Sequence, residues 1–400
     1  QYLLSSVVSG GSNGAFYLAF DDTASGTTLG VGTWEGTQLY TTAKFRDPSA
    51  WYHIVLSFDT TQATDTNRVQ IYVNGLLVAL TENGAAGGWS GYPGQNDTRY
   101  INSSVAHAIS GTVPYASDRD MFGGHMAEIH MIDGTSFFSD TNGTANTSFN
   151  INTFGEFGNY GEWKPKEVSN VTYGTNGFYL DFADSGNLGD DESGNGQDWT
   201  ENNIAASDQM LDSPTNNFPT WNPIGSPAHA ELSYSEGNLK VAHSNTNDNT
   251  TAVASMELPS SGKWYWEVQD TTGGDNYLGV GRDWVTNQND TSILVSEIGW
   301  AMRGNGSKYA FGTGAAYGNS YGSGDIVQIA VDVDNSKIWF GINNNFSSNG
   351  NGNPSTGANA AYTNVTGDNL SIHASEGAGT VAGFIANFGQ DSSFAGTKTA

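Results

Sequence analysis

The stretch Asp325-Ile-Val-Gln-Ile-Ala-Val-Asp-Val-Asp334, continued after Asn335-Ser336 by Lys337-Ile-Trp-Phe-Gly-Ile-Asn343, decides the fold. Val327, Ile329, Val331 and Val333 share one face of the first run, and Ile338, Phe340 and Ile342 share one face of the second. Strict period-two alternation of this kind marks half-buried antiparallel strands. The Asp-Asn-Ser triplet at 334–336 closes them into a hairpin, because Asp and Asn bond to nearby backbone in turns.

The same logic holds near the other end. In Trp51-Tyr-His-Ile-Val-Leu-Ser-Phe-Asp59 the apolar face is Tyr52, Ile54, Leu56 and Phe58. In Arg68-Val-Gln-Ile-Tyr-Val-Asn-Gly75 it is Val69, Ile71 and Val73, and the polar run 60–68 joins the two. Convincing amphipathic helices of four turns or more are absent, and the 52 glycines lie mostly between such runs. The pattern predicts an all-β chain built from antiparallel β-sandwiches, jelly-roll-like in type.

The 400 residues are enough for two or three domains at about 100–200 residues each. With 14 Lys+Arg against 41 Asp+Glu the formal net charge is −27. That balance argues against a nucleic-acid partner, which needs clustered cations, and against an anionic membrane surface. It suits a marine or halophilic setting, where hydrated carboxylates keep a protein soluble. Zero cysteines exclude disulfides, thiol catalysis and cysteine metal sites. The longest apolar runs, such as Leu76–Leu80, are too short for membrane insertion. The chain opens at Gln1, which reads as a processed end or a truncated start.

Charge is uneven along the chain. Residues 1–165 hold 6 basic and 15 acidic side chains, net −9; residues 166–225 hold 1 and 10, also −9; residues 226–400 hold 7 and 16, again −9. The short middle stretch also carries Pro214, Pro219, Pro223 and Asn187-Leu-Gly-Asp-Asp-Glu-Ser-Gly-Asn-Gly196. It reads as a solvated acidic connector, 166–225, between two sandwiches at 1–165 and 226–400.

The strands at 51–59 and 68–75, with Gly124-His-Met-Ala-Glu-Ile-His-Met-Ile-Asp133 as a closing strand, resemble laminin-G-like (concanavalin A-like) sandwiches. The opening strand pair of that family is missing or unrecognisable before Trp51. Residues 226–400 resemble a SPRY-type sandwich through Gly262-Lys-Trp-Tyr-Trp-Glu-Val268, Tyr277-Leu-Gly-Val-Gly-Arg282 and Ile298-Gly-Trp-Ala-Met302. The likeness continues through the 324–334 and 337–343 strands and Ile385-Ala-Asn-Phe-Gly-Gln390 with Phe394. As a whole the chain is similar to laminin-G-plus-SPRY proteins of marine bacteriophages. That resemblance implies a virion fibre, tail or capsid-decoration protein at the virion surface or otherwise extracellular. Its implied partners are other copies of itself, other virion proteins, and a host-surface glycan or protein.

Catalytic signatures are weak. Both formal G-x-S-x-G matches, Gly10-Gly-Ser-Asn-Gly14 and Gly318-Asn-Ser-Tyr-Gly322, sit in loops with no helix following, as a nucleophile elbow requires. Glu128, His130 and Asp133 form the best carboxylate–histidine cluster; in an extended strand Glu128 and His130 share a face and Asp133 points away. Glu128 is the residue to name for a glycan-cleaving enzyme, against the alternative of a polar outer face. The chain is read as a non-enzyme with no cofactor. Ca²⁺ is the one metal weighed, on Asp184, Asp190, Asp191, Glu192 or Asp198, against a merely hydrated acidic loop.

The aromatics divide in two. Trp264, Trp266 and Trp339 lie on strands and read as framework. Trp89 and Tyr92, Tyr317 and Tyr321, and Trp284 lie in or beside glycine-rich loops. A large ring there can stack on a sugar, pack against a neighbouring subunit, or pack locally. These five are the ligand-binding candidates. The expectations are then adhesion, pure self-assembly as a fibre or decoration protein, glycan cleavage, or a bacterial surface adhesin.

Overall fold

The computed structural model describes residues 1–6, 15–23, 26–33, 36–83, 91–111, 121–136, 150–224, 232–244, 250–282, 299–367, 369–377 and 381–398. These residues are all-β: the regular elements are strands and three short 3₁₀ turns. Among them no helix is long and apolar enough to cross a membrane. The chain divides into two compact units, the first comprising Gln1–Phe122, Met126–Ala206 and Ser213–Thr215, the second Gly123–His125, Ser207–Asp212 and Asn216–Ala400.

The first unit is a sandwich of unequal sheets. The wider has six strands in the order Leu80–Glu82, Gly36–Thr41, Gly26–Thr33, Phe16–Thr23, Tyr2–Ser6 and His107–Ile109. The narrower has three: Ile54–Phe58, Val69–Val73 and Leu76–Val78. Phe16, Leu29, Val31 and Leu39 from one sheet meet Val69, Ile71 and Val73 from the other in a single core. Tyr52, Ile54, Leu56 and Phe58 pack against it, the face expected from alternation. Asn74 and Gly75 both take positive φ, 49° and 78°, and join Val73 to Leu76 in a two-residue turn. Such a turn matches the twist of the strands it connects.

Four strands precede Trp51. They carry Gly30, Gly32 and a run of threonines in place of clean alternation, which hides them from a periodicity reading.

The second unit packs two six-stranded antiparallel sheets. One runs Leu232–Ser235, Lys240–His243, Gly383–Asn387, Lys263–Asp270, Ile326–Asp332, Lys337–Ile342. The other runs Thr251–Glu257, Leu370–Ser375, Tyr277–Arg282, Gly299–Arg303, Ser307–Ala310, Thr313–Ala316. Val327, Ile329 and Val331 face Leu278, Val280 and Trp300 in a core that also buries Trp221, Trp266 and Phe384. The turn at 333–336 is held as its residues suggest: Asp332 Oδ1 accepts the Asn335 N–H at 3.0 Å, and Ser336 N–H donates to Val333 O at 3.2 Å.

The acidic stretch 166–225 carries regular structure of its own. Its strand Phe178–Leu180 pairs with Ile129–Met131 in the first unit. The Asp191 carboxylate accepts backbone N–H groups from Tyr179 at 2.9 Å, Ser193 at 2.9 Å and Gln197 at 2.8 Å. Burial pulls its pKa up, but those donors outweigh burial and leave it below the ordinary aspartate value. Clustered acids fold here because the backbone supplies the donors that water otherwise would. At the far end, Trp221 is buried in the second core, so that unit begins well before residue 226.

Candidate functional site

Glu128 and His130 do come together, by a route other than a shared strand face. The strand is only Ile129–Met131, and its pairing sets His130 opposite Tyr179. Glu128 lies just outside it with φ at 54°, the left-handed region that costs a non-glycine residue about 1–2 kcal/mol. Its Oε2 accepts the Tyr179 hydroxyl at 2.5 Å and lies 4.0 Å from His130 Nε2. The His130 ring stacks on Tyr179 with centroids 4.2 Å apart, and Nδ1 shares a hydrogen bond of 2.8 Å with the Tyr173 hydroxyl. Asp133 stands apart, accepting from Asn102 Nδ2 at 2.7 Å and Asn176 N at 3.1 Å.

The electrostatics favour packing over proton transfer. The His130 side chain is 8% exposed. Burial, reinforced by His53, lowers its pKa to about 4 and keeps it neutral. His53, stacked on Trp163 at 5.6 Å, is lowered by burial to about 4 as well. The Tyr179 hydroxyl is pushed up by burial first and then by Glu128. A glycosidase needs two carboxyls flanking one bond. The acids whose charge reaches these tyrosines, Asp181 and Asp191, are occupied by the backbone N–H groups of Ala183 and of Tyr179, Ser193 and Gln197. This cluster locks His130 in place.

The acids weighed for Ca²⁺ do not converge. Asp184 accepts from Gly186 N at 2.8 Å, and Asp198 accepts from Asp191 N at 3.2 Å, each serving its own turn. Among the described residues no group of three or more acids and histidines is placed to hold a metal ion.

Of the five loop aromatics, Trp89 and Trp284 lie outside the described residues. Tyr92 is half-buried against the first core, next to a loop strapped by Arg68, whose guanidinium donates to Pro93 O at 2.8 Å. Tyr321 is 4% exposed, and its hydroxyl donates to Asn276 O at 2.8 Å. The ring belongs to the core of the second unit. Tyr317 packs against the second core and edge-on to Phe340, with Lys308 Nζ 5.8 Å from its centroid. The glycine-rich loop is drawn inward because both tyrosines find partners beneath it.

The exposed aromatics of the second unit are elsewhere. On the strand Lys263–Asp270, Trp266 is buried, yet Trp264 is 39% and Tyr265 52% exposed. Tyr265 donates its hydroxyl to Glu267 Oε1 at 2.5 Å, and Asn387 Nδ2 donates to Glu267 Oε2 at 3.4 Å. A rigid strand therefore presents an aromatic ring, a carboxylate and a carboxamide side by side. The signal was in the sequence: Lys263, Tyr265, Glu267 and Gln269 alternate with the apolar face, and an aromatic in a polar row points outward.

Residues 263–378, within the second unit, match the family model of the SPRY domain. The crystal structure of the SPRY domain of human HERC1 is similar at 16% identity and a TM-score of 0.30, over 41% of this chain and 92% of that one. No curated protein matches the chain. The second unit thus carries a SPRY-type β-sandwich.

Proposed function

We propose that the chain is a non-catalytic binding protein of a bacteriophage virion surface, a fibre, tail or decoration component whose sandwiches face a host glycan or receptor. The observation that carries the binding role is the SPRY match at 263–378, since SPRY domains are generally non-catalytic modules that mediate protein–protein interaction. The virion setting rests on the resemblance alone, a laminin-G-like half followed by a SPRY-type half. Many copies on one particle raise avidity without new contacts, so weak single sites suffice. Adsorption of multivalently displayed chain to marine bacterial cells, with glycan arrays at seawater salt, tests this. Binding that appears only in the multivalent format is expected; none in any format sinks the adhesion role.

A second reading, self-assembly, is favoured by the edge strand Leu76–Val78, which exposes both Leu76 and Leu77. An uncovered apolar edge is a template for pairing with another chain. A particle-mass measurement that shifts to monomer in Leu77→Lys supports that role, and a chain that is monomeric throughout excludes it.

A further inference from the structure

We propose that the lip formed by Lys263, Tyr265 and Glu267 is a docking edge for an extended, cationic segment of a partner protein. The proposal rests on the binding-module reading and deepens it by naming the surface and the partner's chemistry.

The first argument is the ladder. In an antiparallel strand, successive residues direct their main-chain groups to opposite neighbours. Val333 N–H donates to Gly262 O and Asp270 N–H to Asp325 O, so even-numbered residues of Lys263–Asp270 face Ile326–Asp332. Thr271 N–H donates to Gly383 O, so odd-numbered residues face Gly383–Asn387. That neighbour ends at Asn387, opposite Glu267. The main-chain groups of Lys263 and Tyr265 therefore open onto a side where, among the described residues, no strand pairs with them. An interior strand of a six-stranded sheet is here half an edge. Extended peptides add to such edges through main-chain hydrogen bonds.

The second argument is charge and the aromatic anchor. Glu267 is on the lip itself, while Asp332 and Asp334 flank the strand from its paired side, where Asp332 Oδ2 lies 3.7 Å from Lys263 Nζ. The local excess is negative, as is the whole chain at −27. Glu267 is held in place by Tyr265 and Asn387, and the Tyr265 ring is open beside it. A guanidinium can lie over that ring and pair with Glu267 at once. A neutral sugar would stack on the ring and bond to Glu267 through its hydroxyls, but it brings no charge to answer the negative excess.

The experiment uses the full chain and two synthetic peptides, acetyl-Thr-Arg-Val-Arg-Val-Thr-amide and the same sequence with citrulline for arginine. The arginine peptide is expected to bind, weaken with added salt, and lose about tenfold in affinity in Tyr265→Ala and in Glu267→Gln. Lys263→Pro deletes an outward N–H while leaving Tyr265 and Glu267 in place, and should weaken binding too. Urea unfolding of each variant checks that the fold persists. No binding of the arginine peptide, equal binding of the citrulline peptide, or full affinity in both side-chain variants overturns the proposal, as does a neutral oligosaccharide captured through Tyr265 instead. Cell adsorption separates this from the broader reading: adsorption unchanged by Tyr265→Ala removes the lip and leaves adhesion standing. Peptide capture without adsorption does the reverse.

Discussion

Arg303 grips Asp275 with two guanidinium nitrogens, Nε on one carboxylate oxygen and Nη2 on the other. The same guanidinium carbon lies 5.3 Å from the ring centroids of Tyr277 and of Tyr309. Hydrogen bonding to Asp275 raises the Arg303 pKa, so the guanidinium stays charged. Lysine keeps the charge and loses the planar fork. Arg303→Lys is expected to lower the stability of the second unit by about 1–2 kcal/mol in urea unfolding. An unchanged midpoint would show that the fork holds nothing.

Gly279 stands where a side chain has no room. A Cβ there would come 2.0 Å from Trp300 O, a backbone atom of the paired strand, whereas one at Gly94 would meet nothing within 4 Å. Gly279→Ala should destabilise the second unit by about 3 kcal/mol or more, and Gly94→Ala should stay within about 0.5 kcal/mol. Equal melting temperatures for the two variants would refute the close approach.

Acid should weaken the fold before its carboxylates titrate. Burial lowers His373 to about 3 and His243 to about 4, against an ordinary 6.5. Between those folded values and 6.5 the unfolded chain binds protons that the folded chain refuses, so stability falls as pH drops below 6.5. Each such histidine contributes up to about 1.4 kcal/mol per pH unit in that window. The depressed carboxylates Asp191 and Asp332 act only lower, near and below their ordinary 3.8. The neutral His373→Leu should flatten the slope for the second unit between pH 6.5 and about 4. A slope identical to wild type would mean that His373 is protonated in place.

Glu128 tests whether its cluster is architectural. Glu128→Gly gives up the Tyr179 bond, worth about 1 kcal/mol, and relieves a left-handed backbone of similar cost. The two should nearly cancel. Glu128→Val loses the bond and strains the backbone further, so about 2–3 kcal/mol should go. Equal stability of the two variants would contradict the assigned backbone.

Asp191 holds its segment together through backbone donors. Asp191→Ala removes the acceptor of three backbone N–H groups and should cost the first unit about 3 kcal/mol, while a chelator should leave wild-type melting unchanged. Melting that drops on chelation would revive a calcium role.

The framework was legible because alternation is a local property. Val327 to Ile342 and Tyr52 to Val73 read off as hairpins, and both are. Of the strands before Trp51 only Phe16–Thr23 was legible, because glycine and threonine carry little face information in the others. In the acidic stretch, composition registers charge but not which N–H groups will face Asp191. Side-chain direction is hidden along the same line. Tyr321 sits among glycines yet turns inward, and Trp264 sits on a core strand yet emerges where its neighbour stops.

Trp221 carries a consequence for how this protein can be cut and joined. It lies wholly inside the second unit's interior, yet it comes from a stretch whose composition looks dispensable. His125 and Asp212, joined at 2.9 Å, likewise belong to that unit from far upstream. Any shuffled gene fragment that opens at residue 226 would deliver a sandwich without its central tryptophan. The transferable piece is set by where the tryptophan is, not by where the acidity ends.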